Sequence, residues 1–129
     1  MLLIEGTDDP LMPYAGGQVH FYDRPRGLVL GTPATVAFWR AADALSGAAP
    51  IVQQLPHRER RDPTRVTRRT WGADPGPQVR LLEVAGGGHC EPSLAHRYGA
   101  LYTALCGRQN ADVESAEEAW AFFRDKRTR

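Results

Sequence analysis

Leu2-Leu3-Ile4-Glu5-Gly6-Thr7-Asp8-Asp9-Pro10 is the stretch on which the fold turns. A short apolar run closed by turn residues marks a strand buried on both faces, of the kind found inside parallel sheets. Asp8 and Asp9 stand in the loop just beyond it. Gln78 to Val84 repeats the pattern with Val79, Leu81, Leu82 and Val84, and ends in Ala85-Gly86-Gly87-Gly88-His89. In open α/β sheets, functional groups gather outside the carboxyl ends of the strands. The two loops thus present an acid and an imidazole at one edge of one sheet. With nothing ahead of Leu2, the first strand is expected either to edge the sheet or to begin partway into a larger fold.

The rest of the chain fills in around these strands. Residues 10–31 hold three prolines and four glycines and read as an irregular surface excursion, with a short turn around Leu28 to Leu30. Thr32 as cap, Pro33 at the first helical position and Gly47 past the end bracket a helix from Pro33 to Leu45. Val36, Phe38, Trp39, Ala42 and Leu45 form its apolar stripe. Ile51 to Leu55 predicts a strand, and His57 to Pro63 a charged loop. Arg65 to Trp71 alternates weakly and predicts an exposed strand; residues 72–77 are a turn. A helix is expected over Ser93 to Leu105. A last helix starts at Ser115, with Glu118 closing a capping box and Ala116, Ala119, Trp120 and Phe123 on one face. Trp39, Trp120, Phe122 and Phe123 are expected in the core. The order strand, helix, hairpin-like strands, strand, helix is that of an α/β protein, and the first crossover implies a parallel pair.

Composition narrows the classes. The chain has 129 residues, 42% of them apolar and 24% charged, which suits one globular domain spanning residues 1–129. The net charge is +1, without the basic surplus of a nucleic-acid binder. Arg accounts for all the basic residues except Lys126. The basic run His57-Arg58-Glu59-Arg60-Arg61-Asp62, with Arg65, Arg68 and Arg69, is diluted by acids and lacks interleaved aromatics, so it reads as a solvated face. No apolar run is long enough to cross a membrane, and none reads as a signal peptide.

An acid followed by a His, each past a strand, is what a nucleophile–His–acid triad requires, and the order fits the α/β-hydrolase sequence of nucleophile, acid, His. Bland readings stand beside this one: an Asp after a strand also forms turns, and three glycines also make a tight turn. His89, Cys90, His96 and Cys106 lack the paired spacing of a zinc site. Cys90 adjoins His89 in sequence, whereas catalytic Cys–His pairs are distant in sequence and meet in space.

The segment from Leu2 to Tyr14, with Gly16-Gly17, resembles the acid-bearing segment of polyhydroxybutyrate depolymerase-like esterases, which include feruloyl-esterase-like members and share an α/β-hydrolase fold. Thr35 to Asp43 is similar to the helix that follows in that family. Val66 to Trp71 resembles its next strand, Val84 to His89 its His loop, and Ser115 to Phe123 its closing helix. Residues 93–111 lie outside the match. The resemblance implies the C-terminal portion of an α/β-hydrolase fold: parallel strands with a crossover helix, an antiparallel excursion and a closing helix. It makes Asp9 the triad acid and His89 the triad His, with Asp8 at a variable position.

Departures from the pattern matter as much. Family members usually carry His where Glu5 stands, Trp-Pro-Gly where Cys90-Glu91-Pro92-Ser93 stands, and a Cys near Leu45. The only serines are Ser46, Ser93 and Ser115, and none lies in a Gly-x-Ser-x-Gly elbow. The expectation is therefore a partial domain: the acid and His half of a secreted serine carboxylesterase acting on a polyester or aryl ester, without cofactor or metal, inactive until joined by a nucleophile half. The alternative is a non-catalytic remnant or an interaction module that self-associates through the strand at 2–4.

Overall fold

The computed structural model describes residues 1–21 and 24–126. Among these the chain forms a mixed α/β structure. Its main sheet has four strands: β1 (Leu2–Gly6), β4 (Ile51–Gln54), β5 (Arg65–Gly72) and β6 (Gln78–Ala85), in the order β1-β6-β5-β4. β1 and β6 run parallel, with Leu2 opposite Arg80 and Gly6 opposite Val84. The other two pairings are antiparallel. β1 and β4 are the sheet's edges. Helix α1 (Thr32–Ala42) lies against β6, and α3 (Ser115–Phe123) against β1; α2 (Ala100–Cys106) is a short peripheral turn of helix.

Side-chain alternation splits the core into two clusters, one per sheet face. Leu3, Trp71, Val79 and Leu81 meet Val36 of α1, with Trp39 and Leu45 packed alongside. Val66, Leu82 and Val84 meet Val113, with Leu2, Ile4 and Leu55 alongside. β6 supplies both clusters, which is why it reads as a nearly continuous apolar run: Val79 and Leu82 are fully buried.

Several expectations are corrected. Residues 10–31 are not an irregular excursion but carry a hairpin, β2 (Gly16–Phe21) and β3 (Arg24–Leu30), with a bulge at Val19/His20; residues 22 and 23 lie outside the described part. Pro25 pairs there because a two-stranded ribbon leaves one side of each strand free of ladder bonds. Helix α1 starts at Thr32, with Gly31 as its unassisted cap, and ends at Ala42 rather than Leu45. The Arg40 guanidinium donates to the carbonyls of Leu45, Ser46 and Ala48 and folds the chain back there, so Gly47 does not end the helix and Ser46 lies in the following loop. β5 is not exposed: flanked by β4 and β6, it buries Val66, Thr67 and Trp71.

The expected helix over Ser93 to Leu105 shrinks to Ala100–Cys106, because Ser93, Leu94 and Ala95 are tied to Glu114 instead. Ser115 does not cap α3. Its hydroxyl donates to Pro92 O at 2.7 Å, and Glu118 pairs with Arg68. On α3 only Phe122 is buried; Trp120 is 68% exposed and Phe123 50%. The helix rests on the sheet by a face rotated from the one its aromatics suggested.

Candidate active site

The carboxyl ends of β1 and β6 are laced together by their loops. Thr7 N donates to Val84 O at 3.0 Å and Asp8 N to Gly87 O at 2.9 Å, while Gly86 N donates to the Thr7 hydroxyl at 2.8 Å. The approach is so close that a Cβ on Gly6 would stand 2.3 Å from Gly87 O and 2.4 Å from Gly88 O. Gly88 is as confined on its other side, against Cys106 O and Gly107. Two glycines at this crossing let the acid loop and the His loop touch backbone to backbone.

Asp9 and His89 face each other across this contact. Asp9 Oδ1 accepts the backbone N–H groups of Leu11 (2.7 Å) and Met12 (2.8 Å), an Asx-type turn that fixes the carboxylate. Its other oxygen, Oδ2, lies 2.8 Å from His89 Nδ1. The Asp9 side chain is 5% exposed and the imidazole 43%. An ionised carboxylate only accepts, so the neutral ring carries its proton on Nδ1 and leaves Nε2 as an acceptor. Among the described residues nothing hydrogen-bonds Nε2. Asp8 is turned outward and accepts only from the Thr7 hydroxyl. The structure therefore brings together the two residues singled out in the sequence, each past the end of one of two neighbouring parallel strands.

A cavity of about 350 Å³ opens beside the pair, lined among others by Ile4, Glu5, Met12, His89, Cys90 and Ser115. Glu5 is the third titratable group at the site. Burial, reinforced by the Asp9 carboxylate, pushes its carboxyl above the ordinary range. Its place one strand residue before Gly6 gave the signal, but an acid inside an apolar run reads from sequence only as a strand end. Burial, with Cys106, Glu91 and Asp9 nearby, pushes the Cys90 thiol up to about 11, and its Sγ–H points at Gly107 O. It is a thiol at neutral pH, engaged with a backbone carbonyl rather than with the imidazole. Ser115 is engaged with Pro92, and Ser93 hydrogen-bonds Glu114. His96 sets its ring against Tyr98. Among the described residues no three His, Cys, Asp or Glu side chains converge on a metal-sized space.

The run from His57 to Asp62 is not wholly the solvated loop it resembles. It anchors a buried polar network that the sequence reading missed. Asp62 accepts from Thr64 N and from the Thr64 hydroxyl, Asn110 donates to Thr64 and Asp112, and His57 Nδ1 lies 3.1 Å from Asp112. Burial opposes ionisation of Asp112, but hydrogen bonds from Arg58 N, His57 and Asn110 outweigh it and hold its carboxyl below the ordinary range. This is a second His–Asp pair, yet its Nε2 is enclosed and without a partner, so no substrate proton reaches it. It pins the loop after β4 to the segment before α3. Among the described residues, His89 alone combines an acid partner with a largely open ring, 43% exposed.

Comparison with protein-family models, with curated proteins and with solved structures finds no match to the chain.

Proposed function

We propose that this chain supplies the acid and the general base of a serine-type carboxylic-ester hydrolase with an α/β-hydrolase fold, extracellular and resembling polyhydroxybutyrate depolymerases. The carrying observation is the Asp9–His89 pair at the ends of β1 and β6, with the half-exposed imidazole lining the cavity. No hydroxyl among the described residues reaches Nε2, so on this reading the serine and the oxyanion hole belong to a further segment. The open edge of β1, with Leu2 and Ile4 half-buried, is where such a segment would pair.

On this reading the serine hydroxyl donates to His89 Nε2. As serine oxygen attacks the ester carbonyl, Nε2 takes the proton and later returns it to the leaving alcohol. Asp9 holds the ring in the tautomer with Nδ1 protonated and stabilises the imidazolium that forms. The tie of Asp9 Oδ1 to Leu11 and Met12 keeps Oδ2 in place through the cycle. The substrate is a polyester or an aryl ester, held between this cavity and the nucleophile segment.

Hydrolysis of a short-chain aryl ester tests the reading. The chain alone is expected to be inactive, since an acid–base pair without nucleophile and oxyanion donors gives little. Co-expressed with an α/β segment carrying a Gly-x-Ser-x-Gly elbow, it should turn over ester, and His89→Ala should abolish this. Turnover by the chain alone that His89→Ala removes would put the nucleophile within it. Turnover by the assembly that survives His89→Ala would discard the proposed base. The open β1 edge also favours a second reading, a non-catalytic module that self-associates through residues 2–4; unpaired apolar edges invite such pairing. Sedimentation of the chain at rising concentration separates the two, because a stable monomer excludes the second.

A further inference from the structure

The chain has two cysteines, sixteen positions apart, and the fold gathers both behind His89. His89 N donates to Cys106 O at 2.6 Å. Cys90 Sγ lies 3.3 Å from the carbonyl oxygen of Gly107, the residue after Cys106. Gly88, without a side chain, lets the His loop approach the end of α2 to this distance. Both thiols are buried, Cys90 to 4% exposure and Cys106 to 9%, and neither is bonded to another cysteine. Disulfides need Cα atoms about 4.4–6.8 Å apart; the bond from His89 N to Cys106 O and the contact of Cys90 Sγ with Gly107 O make the two cysteines neighbours across the His loop and the end of α2.

We propose that Cys90 and Cys106 are an oxidation site, closing to a disulfide that ties the His89 loop to the C-terminal end of α2 by exchange with a small-molecule disulfide such as oxidised glutathione. This holds whether or not the Asp9–His89 pair serves ester hydrolysis. Cys90 lines the cavity beside His89, and that cavity is the side from which the oxidant approaches. The Cys90 thiolate attacks one sulfur of oxidised glutathione, forming a mixed disulfide and expelling a glutathione thiolate. The Cys106 thiolate then attacks the Cys90 sulfur, closes the Sγ–Sγ bond and expels the second glutathione. The two cysteines lose two hydrogens and two electrons, and glutathione gains them. With its pKa pushed up to about 11, Cys90 holds little thiolate at neutral pH, so exchange is slow and quickens as pH rises. The bridge is accordingly a slowly set structural tie rather than a fast switch.

The test incubates the full chain with oxidised glutathione at mildly alkaline pH, alkylates remaining thiols under denaturing conditions and reads mass. The expected product is lighter by two hydrogens, unalkylated at both cysteines, and yields a linked peptide pair containing Cys90 and Cys106. Cys106→Ser should stop at the mixed disulfide on Cys90. The tied chain should melt about 10 °C higher than the reduced chain, from the size of the closed loop. Overturning results are two independently alkylated or glutathionylated cysteines, a bridge formed only between two chains, or an unchanged melting temperature. The mass result on the unsubstituted chain stands even where a variant fails to fold.

Discussion

Gly6→Ala adds one methyl group where the β1 loop meets the His loop, and its cost follows from the geometry. The new Cβ would lie 2.3 Å from Gly87 O, 2.4 Å from Gly88 O and 2.6 Å from Gly87 C, all backbone atoms. Real Cβ contacts hardly ever fall under 3.0 Å, so the loops must part by roughly 1 Å, the kind of backbone shift that costs about 1–3 kcal/mol. Gly88 cannot easily retreat, because Cys106 O and Gly107 stand behind it and its N–H is held by Arg108 O at 2.8 Å. The Asp8 N to Gly87 O bond, 2.9 Å in the parent, would stretch to about 3.9 Å and be lost, removing about 0.5–1.5 kcal/mol more. The expected total is about 1.5–4.5 kcal/mol, a large share of the roughly 5–15 kcal/mol of a small domain. Urea unfolding of parent and variant measures it. Gly47→Ala is the control: a Cβ there meets nothing within 4 Å, and the change should stay within about 0.5 kcal/mol or stabilise slightly. A Gly6→Ala variant as stable as the parent would refute the claim that the two loops are locked by backbone contact.

Asp9→Ala removes the acceptor of two backbone N–H groups and should cost about 1–2 kcal/mol, as a lost cap does; Asp9→Asn, which keeps Oδ1, should cost less in the same urea titration. The raised Glu5 carboxyl makes the folded chain bind a proton more tightly than the unfolded one, so Glu5 lowers stability as pH rises from the ordinary carboxylate range through its folded pKa. Glu5→Gln should flatten that slope and leave the protein more stable at neutral pH, which unfolding curves across pH will show. Asp112 acts with the opposite sign: its lowered pKa contributes stability above the ordinary carboxylate range that is lost as pH falls through the folded value. Asp112→Asn should remove that acid step, and an unchanged acid limb in the variant would assign it to other groups.

How far the sequence discloses this molecule depends on how local each signal is. β1 and β6 were legible because nearly continuous apolar runs ending in glycine have few other readings, whereas the strand–helix–strand crossover leads from β1 to β4 at the opposite edge of the sheet. The β2–β3 hairpin was hidden: its strands bury little and are broken by glycines and Pro25, so no period survives. The end of α1 depends on Arg40 reaching carbonyls beyond the helix, a contact no propensity encodes. The face of α3 was misjudged because Trp120 and Phe123 stay exposed while Phe122 turns to the sheet and meets Arg80. At the site, position past a strand marked Asp8 and Asp9 equally, and resemblance chose between them. What distinguishes them physically is that Asp9 Oδ1 is consumed by the turn that follows, which aims Oδ2 at His89. The pairing of His57 with Asp112 joins residues fifty-five apart through loops without periodicity, and nothing in either segment announces it.

The protonation of the His89 ring tests the central claim most directly, because the proposed role requires Asp9 to hold the proton on Nδ1 and leave Nε2 bare. Nitrogen NMR of ring-labelled histidine, at alkaline pH where the ring is neutral, reads this, with His89→Ala assigning the signal. The account predicts Nδ1–H with an unprotonated Nε2 in the parent. In Asp9→Asn the side-chain amide donates toward Nδ1 and should shift the proton to Nε2. A parent ring protonated on Nε2, or one whose tautomer is indifferent to Asp9→Asn, would contradict it.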